Sequence, residues 1–111
     1  LEAGADWLPY MVQRMDQYYA ADSMAQWEIL PKRPCSEYLR DGNVYFTSEG
    51  DERLLPIVLE YLGEDHMMAS ADMPHTEARE NTLEEIKARN DITEAQKEKI
   101  LSRNAIRFFG L

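Results

Sequence analysis

Two short apolar stretches separated by an apolar helical stretch limit the folds that this chain can adopt. Residues 44–47 (VYFT) are all β-branched or aromatic, and residues 66–71 (HMMASA) form a second apolar run after the turn residue Gly63. Between these runs lie six apolar residues that form one broad helical face: Leu54, Leu55, Ile57, Val58, Leu59 and Leu62. The order of strand, helix and strand predicts a βαβ unit with two parallel strands.

The second predicted strand ends in ionisable residues. In residues 71–75 (ADMPH), Asp72 and His75 come directly after the apolar run. The active-site residues of α/β folds lie at this end of the strands. A carboxylate at this position can bind a divalent metal or take a proton from a metal-bound water. The alternative is that Asp72 only starts a turn ahead of Pro74, and the spacing alone favours that alternative. For His75, a substrate contact and an ordinary loop position are equally open.

Helices are predicted for most of the remaining chain. Apolar residues recur at three- and four-residue spacing from residue 7 to residue 19, which predicts a long helix capped by Asp6 with one buried face. Prolines at positions 31 and 34 predict a loop, after which Ser36 is suited to cap a short helix. The helix of the βαβ unit should begin and be capped at Glu49 and Asp51, although Glu49 could instead meet substrate.

Two capping boxes predict that further helices close the chain. Thr82 and Thr93 are each followed three residues later by Glu or Gln, which is the sequence signature of a helix N-terminus. The last helix should bury its aliphatic and aromatic residues against an apolar partner. Asn104 is suited to a left-handed turn at the end of that helix.

Four motifs occur in order along the chain. Residues 7–10 (WLPY) with residues 14–16 (RMD) come first, followed by residues 34–39 (PCSEYL), 71–75 (ADMPH) and 104–109 (NAIRFF). In this order the chain resembles the C-terminal part of the amidohydrolase-related family, the metal-dependent barrel hydrolases and decarboxylases akin to aminocarboxymuconate semialdehyde decarboxylase. The resemblance implies an α/β fold that is helix-rich and TIM-barrel-like, in which residues 1–111 form a single segment with the last βα units.

The resemblance also implies roles for individual residues. Asp72 matches the aspartate at the end of the family's last strand, which makes it the expected metal ligand and catalytic residue. By its helical spacing Trp7 is a packing residue, and by the resemblance it could also border the substrate pocket; His75 is a candidate substrate contact because of its spacing to Asp72. Glu2 stands near the place where many relatives carry a histidine that acts as a general acid or base, so it either takes over that proton or is an ordinary strand-end residue.

The complete family barrel is expected to hold zinc or manganese. By resemblance, the other metal ligands are a His-x-His motif and a further histidine, all of which belong to segments upstream of the matched one. This chain has two histidines and no His-x-His motif, while a metal site needs three or four protein ligands. We therefore expect no cofactor in this chain alone.

Length and composition limit the possible functions and partners. A complete eight-stranded barrel takes roughly 250 residues, so a chain of 111 residues is expected to be the C-terminal portion of such an enzyme, acting on a small organic substrate. The alternative is a non-catalytic remnant that folds by self-association or with a partner chain. In either case unpaired strand edges predict a homo-oligomer or a partner chain.

Charge and cysteine content point to an ordinary intracellular protein. The net charge of −9 disfavours nucleic acid as a partner, and no apolar run approaches the roughly 20 residues of a membrane span. The single cysteine, Cys35, has no internal disulfide partner, which is typical of a reducing compartment. We therefore expect a cytoplasmic location and no membrane association.

Overall fold

A computed structural model describes residues 4–21, 29–76 and 78–111 of the chain. Within these ranges the fold consists of helices around a two-stranded sheet. A π-helical turn, Lys99–Arg103, joins the last two helices. The elements in chain order are α1 Leu8–Ala20, α2 Cys35–Asp41, β1 Phe46–Ser48, α3 Leu55–Leu62, β2 Met67–Ala69, α4 Thr82–Ala88, α5 Glu94–Glu98 and α6 Asn104–Phe109.

The predicted βαβ unit is confirmed. Strands β1 and β2 pair in parallel, with Phe46 opposite Met67 at one end and Ser48 opposite Ala69 at the other. Strand β1 begins two residues later than predicted because the carbonyl of Val44 faces a side chain, the ring Nδ1 of His66 at 2.9 Å. Since the strands are parallel, their carboxyl ends lie at the same edge of the sheet, which we call the carboxyl edge.

Helix α3 supplies much of the core. Pro56 falls in its first turn, where a missing N–H breaks no helical hydrogen bond. Ile57 and Leu54 are exposed, so the buried face is narrower than predicted. The buried apolar cluster joins α3 to β2, α1 and the C-terminal helices: Ala5, Leu8, Val12, Leu55, Val58, Leu59, Leu62, Met67, Ile86, Ile92 and Ile100.

Helix α1 forms as predicted, but its buried face is smaller than expected. Only Leu8 and Val12 are buried, whereas Met11, Met15 and Tyr18 are 42–56% exposed. Within the described ranges α1 packs mainly against two short helices, α2 and α3. The prediction of one buried face is therefore confirmed at Leu8 but not at Met11, Met15 or Tyr18.

Three predicted helix caps are also wrong. Asp6 does not cap α1, because its Oδ1 accepts a hydrogen bond from the Leu54 amide at 3.0 Å. Helix α2 begins before Ser36, whose amide donates to Oδ1 of Asp16 at 3.0 Å. Helix α4 has Asn81 at its N-cap position, so Thr82 lies inside the helix. The capping box at Thr93 is confirmed, with both reciprocal hydrogen bonds to Gln96 present.

The π-helical turn Lys99–Arg103 brings Asn104 into the core. Asn104 has right-handed helical geometry, and its Nδ2 donates to the carbonyls of Glu64 at 2.8 Å and Met67 at 2.7 Å. The predicted left-handed position is instead Gly110, with φ of +68°. These two hydrogen bonds satisfy two backbone carbonyls and stabilise the fold. Asn104 thereby fastens the C-terminal helices to the start of β2.

Candidate functional site

Asp72 lies three residues beyond the end of β2, at the carboxyl edge of the sheet. It is half-buried and has a left-handed backbone with φ of +53°, a region that Asp visits more readily than most residues. Its amide donates to the Ser70 hydroxyl at 3.4 Å, and its carbonyl accepts from the His75 amide at 3.1 Å. The peptide bond between Met73 and Pro74, in the same turn, is cis. Asp72 is thus both a turn residue and a carboxylate at the strand end.

The other predicted site residues lie in different surroundings. His75 is exposed and belongs to the same turn as Asp72. Trp7 is 43% exposed, and its ring packs edge-on against Phe46 of β1 with 6.3 Å between centroids. The indole Nε1 also donates to the Gly4 carbonyl at 2.9 Å. Glu2 lies outside the described residues.

The second histidine has a structural environment. His66 is 7% exposed, and its Nε2 lies 2.7 Å from the Arg40 carbonyl while Nδ1 faces the Val44 carbonyl. Both ring nitrogens are therefore engaged with the backbone between α2 and β1.

The described residues do not by themselves fit a metal ion. Among them, no three or more His, Cys, Asp and Glu side chains are grouped so that they could hold one. Asp72 can supply one anionic oxygen, and a protein metal site needs three or four ligands. The described residues therefore supply too few donors for a closed metal site.

Glu52 is a carboxylate at the carboxyl edge that the sequence motifs did not single out. Its Oε2 accepts from the Ala5 amide at 2.6 Å, and its Oε1 accepts from the Glu49 amide at 2.8 Å. Burial raises the pKa of Glu52 above its usual value, and the nearby Asp6 charge adds to the effect, although the backbone hydrogen bonds oppose it. A Cβ at Gly4 would lie 2.6 Å from Oε1, so a glycine with φ of +57° fits there.

Arg79 joins the loops that follow the two strands. Its Nη2 lies 2.7 Å from Oε1 of Glu85 on α4, and its Nη1 lies 3.1 Å from Oδ2 of Asp51 after β1. Glu49 is 3.9 Å from Nε. The hydrogen bond to Glu85 raises the pKa of the Arg79 guanidinium, and the neighbouring carboxylates add to this. Since α3 begins at Leu55, the prediction that Glu49 and Asp51 start and cap that helix is wrong.

Arg89 holds the same loop from the other side. Its Nη1 donates to the carbonyls of Gly50 at 2.9 Å and Glu52 at 2.7 Å, and its side chain is only 10% exposed. Gly50 lies so close to α4 that a Cβ there would be 2.4 Å from Cβ of Glu85. The loop after β1 is therefore fixed against α4 by backbone contacts.

An apolar cavity of about 370 Å³ lies between α1 and α2, at the end of α1 away from Trp7. Cys35 is at its wall, where Sγ lies 3.5 Å from Sδ of Met15. Burial raises the pKa of the Cys35 thiol, and the Asp16 carboxylate raises it further. A raised pKa favours the protonated thiol over the thiolate.

Helices long and apolar enough to cross a membrane are absent from residues 4–21, 29–76 and 78–111. None of the curated proteins compared with the chain matches it. Solved structures do match, and they cover nearly all of this chain.

Three of these structures show the fold. A 5-carboxyvanillate decarboxylase from Novosphingobium aromaticivorans, solved with manganese and 4-hydroxy-3-methoxy-5-nitrobenzoic acid, is 24% identical with a TM-score of 0.77 over 97% of this chain and 32% of that one. A 2,6-dihydroxybenzoate decarboxylase solved in complex with 2,6-dihydroxybenzoate is 28% identical, with a TM-score of 0.70 over 97% of this chain and 33% of that one. A Staphylococcus aureus structure described as an amidohydrolase is 24% identical, with a TM-score of 0.70 over 95% and 32% of the two chains.

The chain therefore spans about a third of the length of these structures. Its helix-rich fold with a small parallel sheet corresponds to part of a TIM-barrel-type amidohydrolase. The family model described as amidohydrolase matches residues 2–111, which is almost the whole sequence. The predicted family is confirmed: the chain belongs to the amidohydrolase family.

Proposed function

We propose that this chain is the C-terminal portion of a metal-dependent amidohydrolase-family hydrolase or decarboxylase that acts on a small organic substrate. The family match over residues 2–111 supports the enzyme class. The observation that carries the proposal is the position of Asp72, which follows β2 at the carboxyl edge where barrel enzymes keep their active sites.

Asp72 is proposed as the metal-binding and catalytic carboxylate of this portion. Asp72 is partly buried and has a left-handed backbone. Its carbonyl accepts a hydrogen bond from the His75 amide, so hydrogen bonding holds the backbone that carries the carboxylate. A divalent metal bound in the complete barrel would supply Lewis-acid chemistry. Zinc or manganese is proposed, since the Novosphingobium decarboxylase was solved with manganese. Its remaining ligands would come from residues outside those described here.

Three further residues are proposed to border the substrate. His75 shares the turn of Asp72, and Trp7 presents an exposed aromatic edge beside β1. Glu2 is proposed on the basis of its place in the sequence alone. Two of the similar structures are decarboxylases of hydroxylated benzoates, so aromatic hydroxy acids are the first substrates to test.

The second candidate function is a non-catalytic remnant that folds by self-association or with a partner chain. Two observations favour it. The described residues include no group of three or more side chains that could hold a metal ion, and large apolar side chains such as Tyr10, Phe109 and Leu111 are 65–88% exposed. Exposed apolar surface of this kind is typical of a contact with another chain. A homo-oligomer or a partner chain is proposed on this basis, with a cytoplasmic location.

The test is an activity assay on the product of the complete reading frame that encodes this chain. The purified product, loaded with manganese or zinc, is incubated with a panel of hydroxybenzoates and small amides, and the release of carbon dioxide or amine is measured. The proposal predicts turnover of at least one compound, lost in Asp72→Asn and kept in Asp41→Asn. Asp41 is a matched control because it pairs with Arg33 on an exposed surface away from the carboxyl edge. No turnover with any compound supports the remnant instead. Turnover that survives Asp72→Asn would show an enzyme in which Asp72 is not the catalytic carboxylate.

A further inference from the structure

The segment that carries Asp72 is a closed loop. The amide of Arg79 donates to the Ala71 carbonyl at 2.9 Å, which brings the two ends of the loop together. Inside the loop, the His75 amide donates to the Asp72 carbonyl and the Ala78 amide donates to the His75 carbonyl, both at 3.1 Å. Asp72 therefore sits at the start of a short loop that Arg79 closes.

The side chain of Arg79 ties this loop to the rest of the carboxyl edge. Its Nε and Nη2 donate to the two carboxylate oxygens of Glu85 at 3.3 and 2.7 Å, which is the side-on fork that a guanidinium forms with a carboxylate. Its Nη1 extends to Asp51 in the loop after β1. One residue thus closes the Asp72 loop with its amide and anchors that loop with its guanidinium.

The partners of Arg79 are themselves fixed. Glu85 lies on α4, and Gly50 packs directly against it. The loop that carries Asp51 is held by Arg89, whose guanidinium donates to the Gly50 and Glu52 carbonyls. Because both anchors are fixed by contacts that do not involve Arg79, the guanidinium transmits their position to the Asp72 loop.

Asp72 needs such an anchor because its backbone is in the left-handed region. That conformation is less favourable than an extended one for any residue with a Cβ, and it persists where the surrounding structure determines it. The hydrogen bonds of the Asp72 backbone are to Ser70 and His75, which belong to the same loop or its immediate edge. Ser70 is tied to β1, since its amide donates to the Ser48 carbonyl at 3.0 Å, so the sheet holds the start of the loop and Arg79 holds its other end.

We propose that Arg79 is a positioning residue that holds Asp72 in its left-handed conformation at the carboxyl edge, by anchoring the loop between β2 and α4 to Glu85 and Asp51. This inference rests on the proposed function only in one respect, the metal-binding and catalytic role of the Asp72 carboxylate. Lysine would be a poor substitute, because a single ammonium cannot span both oxygens of Glu85 and reach Asp51 as well.

Nuclear magnetic resonance of the 111-residue chain tests this without any activity measurement. The Cα and Cβ chemical shifts of Asp72 report its backbone conformation, and amide hydrogen exchange reports the closure of the loop. In Arg79→Met we expect the Asp72 shifts to move towards extended values and the His75 amide to exchange at least about tenfold faster than in the wild type. Arg79→Lys should fall between the two.

Arg33→Met is the matched control. Arg33 has a side-chain exposure of 37% against 32% for Arg79 and also pairs with an aspartate, but it lies next to α2. It should leave the Asp72 shifts and the exchange of residues 72–79 unchanged. If Arg79→Met leaves them unchanged as well, the loop is held by its own hydrogen bonds and the proposal is wrong.

A milder variant covers the case in which Arg79→Met fails to fold. Glu85→Gln keeps the shape of the anchor and removes its charge, so it should shift Asp72 in the same direction by a smaller amount. Unchanged Asp72 shifts in Glu85→Gln would then overturn the proposal. The outcome is independent of metal binding and turnover, so a chain without catalysis can still show the anchor, and an active enzyme can lack it.

Discussion

The Ala5 amide donates a hydrogen bond of 2.6 Å to the carboxylate of Glu52, which lies 47 residues further along the chain. The same carboxylate accepts from the Glu49 amide with its other oxygen. It therefore ties the segment that leads into α1 to the loop that follows β1. Glu52 and Arg79 together connect three consecutive segments of the carboxyl edge.

Removing the Glu52 carboxylate should destabilise the fold. Glu52→Ala leaves two backbone amides without their acceptor, and an unsatisfied, partly buried donor costs about 1–3 kcal/mol. Urea denaturation of the variant and the wild type measures the difference in the free energy of unfolding. Glu60→Ala is the control, since Glu60 is an exposed glutamate on α3. Equal effects of the two substitutions would show that the Glu52 hydrogen bonds contribute nothing.

Glu52 should also make stability depend on pH in a defined direction. Its pKa is raised in the folded chain, chiefly by burial, above the ordinary value of 4.5. The folded state therefore binds a proton more tightly than the unfolded state, and the stability from this group is full below pH 4.5 and is lost as pH rises through the folded pKa. The stability of the wild type relative to Glu52→Gln should fall as pH rises across this interval. A difference that is flat or rises with pH would contradict the assignment.

The core of the βαβ unit can be tested by truncation. Leu59 is 4% exposed on α3, so Leu59→Ala should cost about 2–5 kcal/mol of unfolding free energy through lost burial and the cavity that remains. Ile57, two residues earlier on the same helix, is 43% exposed, and Ile57→Ala should cost less than about 1 kcal/mol. A loss of less than about 1 kcal/mol for Leu59→Ala as well would mean that α3 is not packed as described.

The 111-residue chain on its own should bind metal weakly. Asp72 and a neighbouring histidine supply too few ligands for a closed site, so the dissociation constant for zinc or manganese should be about millimolar or weaker. Isothermal titration calorimetry measures it. Micromolar affinity that disappears in Asp72→Ala would show that an associating chain provides the missing ligands.

The parts of the fold that depend on neighbouring residues were predictable from the sequence. The order of strand, helix and strand could be predicted from the sequence, because the spacing of apolar residues indicates which of them share a face. The Thr93 capping box was predictable because its two partners are three residues apart. The same pattern at Thr82 gave a wrong prediction, because Asn81 is the N-cap residue of α4 and Thr82 lies inside the helix.

What was not predictable depends on contacts between distant residues. Periodicity placed Met15 and Tyr18 on the apolar face of α1 but could not show that both side chains stay about half exposed. The hydrogen bond from Ala5 to Glu52 and the hydrogen bonds from Arg89 to the loop after β1 join residues 37–47 positions apart. No local sequence pattern indicates such pairs. The proposed roles of Asp72, Trp7 and Glu2 came from the family resemblance, and that of His75 came from its spacing to Asp72. All four remain predictions.

The metal content of the protein expressed from the complete reading frame tests the central claim most directly. The claim is that Asp72 is the carboxylate that this portion contributes to a family metal site. Elemental analysis of the purified protein should find about one divalent metal per chain, as expected for a site closed by further ligands. Asp72→Ala should remove that metal, while Asp41→Ala should keep it. Full metal content in Asp72→Ala, or none in the wild type, would contradict the account.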